Sequence, residues 1–261
     1  MKKKITIIVL IVVLIVFGIL CFIFKSKENT KTSENEIKNK TSSEVFKEKY
    51  ESVNKQQANN ENNKNEENII STISNGTLKN VDIDSINPFY EISADELVKM
   101  IEENKSFYVF FGDEQCPWCR DVIEECIKVA KENNISRIYY VEVWKGDREE
   151  IFRDKYVLED GNPKKLTEGT ESYKKLLNYF DSYLEDYTLT DNDGNKVNVG
   201  EKRIYAPSFM YIQSGKIKRY TTGISKLQSN AYQELTEEIL NDEEKIFKEF
   251  FKNEYCGDGN C

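Results

Sequence analysis

The stretch FYVFFGDEQCPWCRDVIEECIKVA, residues 107–130, constrains this chain more than any other. Its opening run, FYVFF, has the length and composition of a strand buried on both faces. Two cysteines separated by two residues follow almost at once. Pro117 then falls where a helix has its first residue, a position with no intrahelical N–H bond to lose. Beyond it Val122, Ile123, Cys126, Val129 and Ala130 recur on one helical face. A strand running directly into a helix at Cys116 puts that sulfur at the helix N-terminus, where the macrodipole and the free backbone N–H groups stabilise a thiolate. Cys119 follows one turn later, within reach of Cys116.

Three chemistries suit such a pair. It can be a redox dithiol, with Cys116 attacking and Cys119 closing the disulfide. It can be half of a zinc site completed by Cys256 and Cys261, since a spacing of four between the second pair is permissible. It can be a structural staple, although closing so short a loop removes little entropy from the unfolded chain. Against zinc stand the Pro-Trp between the cysteines, the long helix directly after them, and the oxidising compartment argued below. The chain contains no histidine. That excludes the Ser–His–Asp and Cys–His schemes and the commonest metal ligand.

The flanking patterns extend the strand–helix unit. SADELVKMIEEN (93–104) carries a capping box, Ser93 with Glu96, and RIYYVEV (137–143) is a further strand. Helix, strand, helix and strand in that order predict an α/β sheet with a crossover connection. Residues 146–186 are rich in helix formers, with DGNP interrupting them. A hairpin is expected over 187–199 around Asp193-Gly194. An EF-hand loop is excluded there, because Leu189 and Gly200 occupy the first and last ligand positions. Two strands joined at Ser214-Gly215 cover 206–223, and 229–251 is an amphipathic helix.

The N-terminal third differs in kind. MKKK precedes residues 5–24, which are 20 consecutive residues without a charge. That is the length of a bilayer-spanning helix, and no small-residue cleavage site ends it. The lysines favour a cytoplasmic N-terminus, with the rest of the chain outside the membrane. Residues 25–80 hold 12 Asn, 10 Lys and 9 Glu. Such a composition predicts a flexible, low-complexity linker that tethers a domain, residues 81–261, to the membrane. The formal net charge of −9 disfavours nucleic-acid binding.

VFFGDEQCPWC followed by helix and strand, with YAPSFMYIQSGKI downstream, resembles the thioredoxin superfamily. The layout of anchor, tether and domain resembles the membrane-anchored Gram-positive proteins called bacteriocin transport accessory proteins. The resemblance covers about residues 90–145 and 203–250, with an insertion at about 146–202. It implies a thioredoxin-like fold, a central mixed sheet flanked by helices with a helical and hairpin insertion. It also implies a thiol–disulfide oxidoreductase acting on protein cysteines, with Cys116 as nucleophile and Cys119 as resolving thiol. Pro207, in cis after Ala206, would dock the substrate beside Trp118. No cofactor is needed, since the dithiol stores two electrons. A membrane redox partner would recharge it. The sequence departs from the pattern where thioredoxins bury an aspartate six residues before the first cysteine, because Phe110 stands there. Glu142 substitutes only if it points inward, and strand alternation by default turns it to solvent. Cys126 is expected as a buried inert thiol, and Cys256 with Cys261 as a structural disulfide. The rival reading is a non-enzymatic accessory or binding module for a secretion or cell-envelope partner.

Overall fold

The strand preceding the two cysteines is the middle of the molecule. In the computed structural model, which describes residues 40–56, 76–144 and 149–252, that strand is β2, Phe107–Gly112. It lies third of five in a mixed sheet formed with β1 (Phe89–Glu91), β3 (Ile138–Glu142), β8 (Ser208–Gln213) and β9 (Lys216–Thr221), in the order β1-β3-β2-β8-β9. β3 runs parallel to both β1 and β2, whereas β8 is antiparallel to β2 and to β9. Helices cover both faces. Alternation along β2 explains why its sequence is apolar throughout. Phe110 faces one core with α3 (Pro117–Glu132) and α5 (Glu237–Phe250), and Val109 and Phe111 face the other, with α2 (Ala94–Glu102) and α4 (Glu171–Phe180). This central mixed sheet flanked by helices fits the thioredoxin-like arrangement.

The capping box of α2 forms as its sequence implies, with Ser93 and Glu96 each accepting from the other's backbone N–H. The expected helix over 229–251 is shorter. α5 starts at Glu237 behind the N-cap Thr236, whose side chain accepts from the Ile239 N–H.

Two expectations need correction. Residues 25–80 are not wholly linker, because Ser42–Ser52 forms helix α1. Its Phe46 and Tyr50 are buried in the α3–α5 core, and Phe46 stacks on Phe89 with ring centroids 4.2 Å apart. Two aromatics one turn apart suffice to dock an otherwise polar helix. Leu78, Val81 and Ile83 are buried as well. The second correction concerns the first part of 146–186, where a hairpin over 155–167 replaces helix, whereas Glu171–Phe180 is helical as expected. β4 (Lys155–Glu159) and β5 (Asn162–Thr167) are joined at Asp160-Gly161, both with positive φ as a tight hairpin turn demands. The hairpin of β6 (Glu185–Thr190) and β7 (Lys196–Arg203) forms around Asp193-Gly194 as expected. Among the described residues no helix is long and apolar enough to cross a membrane. The apolar run 5–24, Cys21, Cys256 and Cys261 lie outside the described residues, and with them the expected anchor and C-terminal disulfide.

Candidate active site

Gly112 closes β2 at a point with no room for a side chain. A Cβ there would lie 2.1 Å from the Phe110 ring. The chain then turns through Asp113–Gln115, and the Cys116 N–H donates to the Asp113 carbonyl at 3.2 Å. Cys116 is the N-cap of α3, with extended backbone (φ −73°, ψ 115°), and Pro117 follows in the first turn. Its sulfur is half-buried and lies 3.6 Å from the Ala206 carbonyl oxygen. Cys119 is wholly buried behind it. Burial above all, and then the hydrogen bond with Cys116, push the Cys119 thiol well above its usual pKa. Cys116, Cys119 and Cys126 are all unbridged. Cys126 is buried on the inner face of α3, where burial alone pushes its thiol up.

The structure brings Ala206 and Pro207 to Cys116 from the opposite side. Their peptide bond is cis and leads directly into β8. Arg153 holds the segment just before it, donating from Nη1 to the Ile204 carbonyl at 2.9 Å. Trp118 is half-buried on the first turn of α3. The half-buried sulfur, the buried partner sulfur and the Ala206 carbonyl therefore meet at one end of the sheet.

Sequence reasoning weighed Glu142 as an inward carboxyl but missed the cluster it joins. Carboxylate oxygens of Asp113, Glu114 and Glu142 come within 4.8 Å of one another. Glu142 is not solvent-facing, since its side chain is 13% exposed and pairs with Lys49 of α1 at 2.6 Å. Lys49 also reaches Glu91 at 3.0 Å. Burial, followed by the negative charge of Asp113, pushes Glu114 up to about 7. Burial raises Glu142 too, opposed by its bond with Lys49. Three carboxylates are a hard-oxygen donor set of the kind a divalent cation takes. Lys49 already supplies a counter-cation to this one.

Tyr50, one residue on, is fully buried, and its hydroxyl has no hydrogen-bond partner among the described residues. Burial and then the nearby charges of Cys119, Asp113 and Cys116 drive its phenol well above the usual range. Arg120, directly after Cys119, is also wholly buried. Its Nε donates to the Lys79 carbonyl at 2.7 Å, and its Nη1 to the carbonyls of Tyr50 (2.7 Å) and Glu114 (2.9 Å). Its Nη2 donates to the Asn54 side-chain oxygen. One guanidinium thus joins the N-terminal segment, the loop before Cys116 and the active-site helix. Only the CPWCR string hinted at it, and an arginine there reads from sequence as a solvated helix residue.

These features define a mixed α/β domain with an unbridged dithiol at a strand–helix junction, backed by a buried carboxyl cluster. No protein-family model matches the chain, and no curated protein matches it. Among solved structures, one similar chain is described as a thioredoxin-fold protein from Helicobacter pylori. It is 15% identical with a TM-score of 0.25, over 62% of this chain and 88% of that one. So distant a likeness carries no argument, and the fold assignment rests on the strand order and directions above.

Proposed function

We propose that the chain is an extracytoplasmic, membrane-tethered thiol–disulfide oxidoreductase of thioredoxin-like fold, acting on protein cysteines through Cys116 and Cys119. One observation carries the reading: Cys116 Sγ, at the N-cap of α3 and partly open to solvent, sits against the Ala206 carbonyl with Cys119 buried behind it. Burial keeps Cys119 a thiol until it is needed, so the partly open Cys116 is the sulfur that meets the substrate first. Cys116 attacks a substrate disulfide, forming a mixed disulfide and releasing one substrate thiolate. Cys119 then attacks Cys116, the Cys116–Cys119 bond forms, and the second substrate sulfur leaves with the electron pair. The reverse sequence oxidises a substrate dithiol. The Ala206–Pro207 backbone beside Cys116 and the open side of Trp118 supply the surface on which a substrate strand lies. A membrane redox partner recharges the dithiol, and the 5–24 run provides the anchor.

Replacing Cys119 with Ser removes the second step and leaves the first. Cells carrying Cys119→Ser should accumulate reductant-sensitive adducts on non-reducing gels, and Cys116→Ser should not. If Cys119→Ser traps nothing and the wild-type chain neither reduces nor oxidises a model disulfide, the reading fails.

A further inference from the structure

The insertion begins and ends on one buried ion network. Glu150 lies just beyond β3, in a bridge with Trp144, and its side chain is 4% exposed. Arg153 donates to both of its carboxylate oxygens, from Nε at 2.8 Å and from Nη2 at 2.8 Å. Arg203, the last residue of β7, donates to the same carboxylate from Nη2, and from Nη1 to the Asp154 carbonyl at 2.7 Å. Both guanidinium groups are buried, at 3% and 5% exposure. The remaining nitrogen of Arg153, Nη1, donates to the carbonyl of Ile204, itself wholly buried, at 2.9 Å. Two residues further on, the Ala206 carbonyl stands 3.6 Å from Cys116 Sγ. The segment that reaches the nucleophile is therefore tied to Glu150 twice, through Arg203 in its own backbone and through Arg153 across the gap.

We propose that Arg153 is a positioning residue for polypeptide substrates: through the Glu150–Arg153–Arg203 network the insertion sets where the Ala206–Pro207 backbone stands beside Cys116, and so how well an extended cysteine-containing chain docks for attack. Apolar groups of the same volume would commonly be as stable as a buried trio of charges, so geometry is what the trio supplies. The planar fork of the guanidinium makes it possible. Two nitrogens fix it on Glu150 at the end of β3, and the third points away to the Ile204 carbonyl. Without that donor the buried Ile204 carbonyl loses its partner, and the segment moves to find another. A displacement of about 1 Å far from the chemistry can slow a docked reaction by on the order of a hundredfold. A small disulfide meets the Cys116 sulfur without lying on this backbone, so its reaction does not depend on the network. This rests on the oxidoreductase reading and adds the substrate class for which the insertion is built, an extended polypeptide with an accessible sulfur.

Two probes with the same leaving group separate docking from sulfur chemistry on the full chain. One is the small disulfide 5,5′-dithiobis(2-nitrobenzoate). The other is a short unstructured peptide whose single cysteine is joined by a disulfide to 2-nitro-5-thiobenzoate. With each, Cys116 bonds to one probe sulfur, the probe disulfide breaks, and the coloured thiolate leaves with the electron pair. The wild-type rate should saturate with the peptide. Arg153→Met should raise the peptide concentration that gives half the maximal rate by about tenfold and leave the rate with the small disulfide unchanged. Arg153→Lys keeps a positive charge opposite Glu150 but has no fork with which to hold Ile204 as well, so it should show the same split. Should Arg153→Met not fold, Arg153→Lys carries the test. Equal slowing with both probes would mean a general loss of packing, and unchanged peptide kinetics, or a wild-type rate that never saturates, would mean that the network does not set docking. Each of these overturns the proposal while the oxidoreductase reading stands. If the wild type releases no coloured thiolate from either probe, both readings fall.

Discussion

Two regions of the molecule invert what their sequences suggest. Residues 42–56 come from a tract dominated by Asn, Lys and Glu, yet they bury Phe46, Tyr50 and Val53, pair Lys49 with Glu142, and accept from Arg120, the residue after Cys119, at the Tyr50 carbonyl. The hairpins at 155–167 and 185–203 are richer in branched residues, yet they close only a small cluster of their own, Tyr156, Tyr187 and Leu189. Their link toward the active site runs through Arg203 of β7, which pairs with the buried Glu150; Glu150 also holds Arg153 (2.8 Å), whose Nη1 donates to the Ile204 carbonyl. Coupling to a site therefore does not scale with hydrophobicity. Phe46 stacks on both Tyr50 and Phe89, and that contact fixes where the charged and hydrogen-bonding groups beside it must lie. The hairpins have no comparable partner on the face that carries the cysteines.

The largest effect expected from this contrast comes from truncating the two anchors. Phe46→Ala should cost about 3–5 kcal/mol in denaturant unfolding, as large-to-small changes at fully buried aromatics do. It should also change the dithiol's exchange rates, because α1 supplies the Tyr50 carbonyl that holds Arg120, the residue after Cys119. Leu189→Ala, also fully buried, should destabilise by about 2–5 kcal/mol without changing the dithiol's exchange rates. Equal effects of the two substitutions on exchange would remove the distinction between the regions.

A medium effect concerns α5, which packs on the far side of α3. Glu243 is fully buried with neither carboxylate oxygen hydrogen-bonded among the described residues, and burial, aided by Asp121, pushes it up to about 8. Asp121 is held at about 7, mainly by burial. Both folded values lie above the unfolded ones, so the native state binds more protons and stability falls as pH rises from about 4.5 to about 8. Glu243→Gln should flatten that decline and raise stability at pH 8 by about 1–3 kcal/mol, the scale of an unsatisfied buried polar group. Denaturation midpoints at pH 5 and pH 8 check it. A steeper decline in the variant would show that the Glu243 carboxylate is satisfied at high pH.

The smallest effect belongs to the outer hairpin. Leu166 is 60% exposed on β5. Leu166→Ser should change stability by no more than about 0.5 kcal/mol and leave exchange untouched. A larger loss would mean that this hairpin has a partner surface.

Much of the central unit was legible residue by residue. FYVFF lacks polar positions because β2 is buried on both faces, and Ser93 with Glu96 marks the start of α2 by local hydrogen bonds alone. Cys116, Pro117 and Cys119 needed only the strand-to-helix order to be placed. The Asp160-Gly161 hairpin escaped because Lys, Leu and Glu around it favour helix, and a turn requiring positive φ at both central residues outweighed that preference. Tyr179 and Tyr183, in and just after α4, are 41% and 37% exposed, since α4 turns Tyr173, Leu176 and Phe180 to the core instead.

The sequence by itself determined the strand–Cys-Pro-Trp-Cys–helix unit, since each of its signals is local: apolar run, proline at the first turn, helical periodicity after it. Only the tertiary structure decided that Ala206, Lys49, Tyr50, Asn54 and Glu142 surround that unit. They lie 23 or more positions from either cysteine in the chain. Whether Glu142 faces in or out depends on the register of β3 against β2, and whether Lys49 reaches it depends on two aromatic rings docking a polar helix. Those are long-range packing outcomes, in which a few buried contacts outweigh the average composition of the segment that carries them.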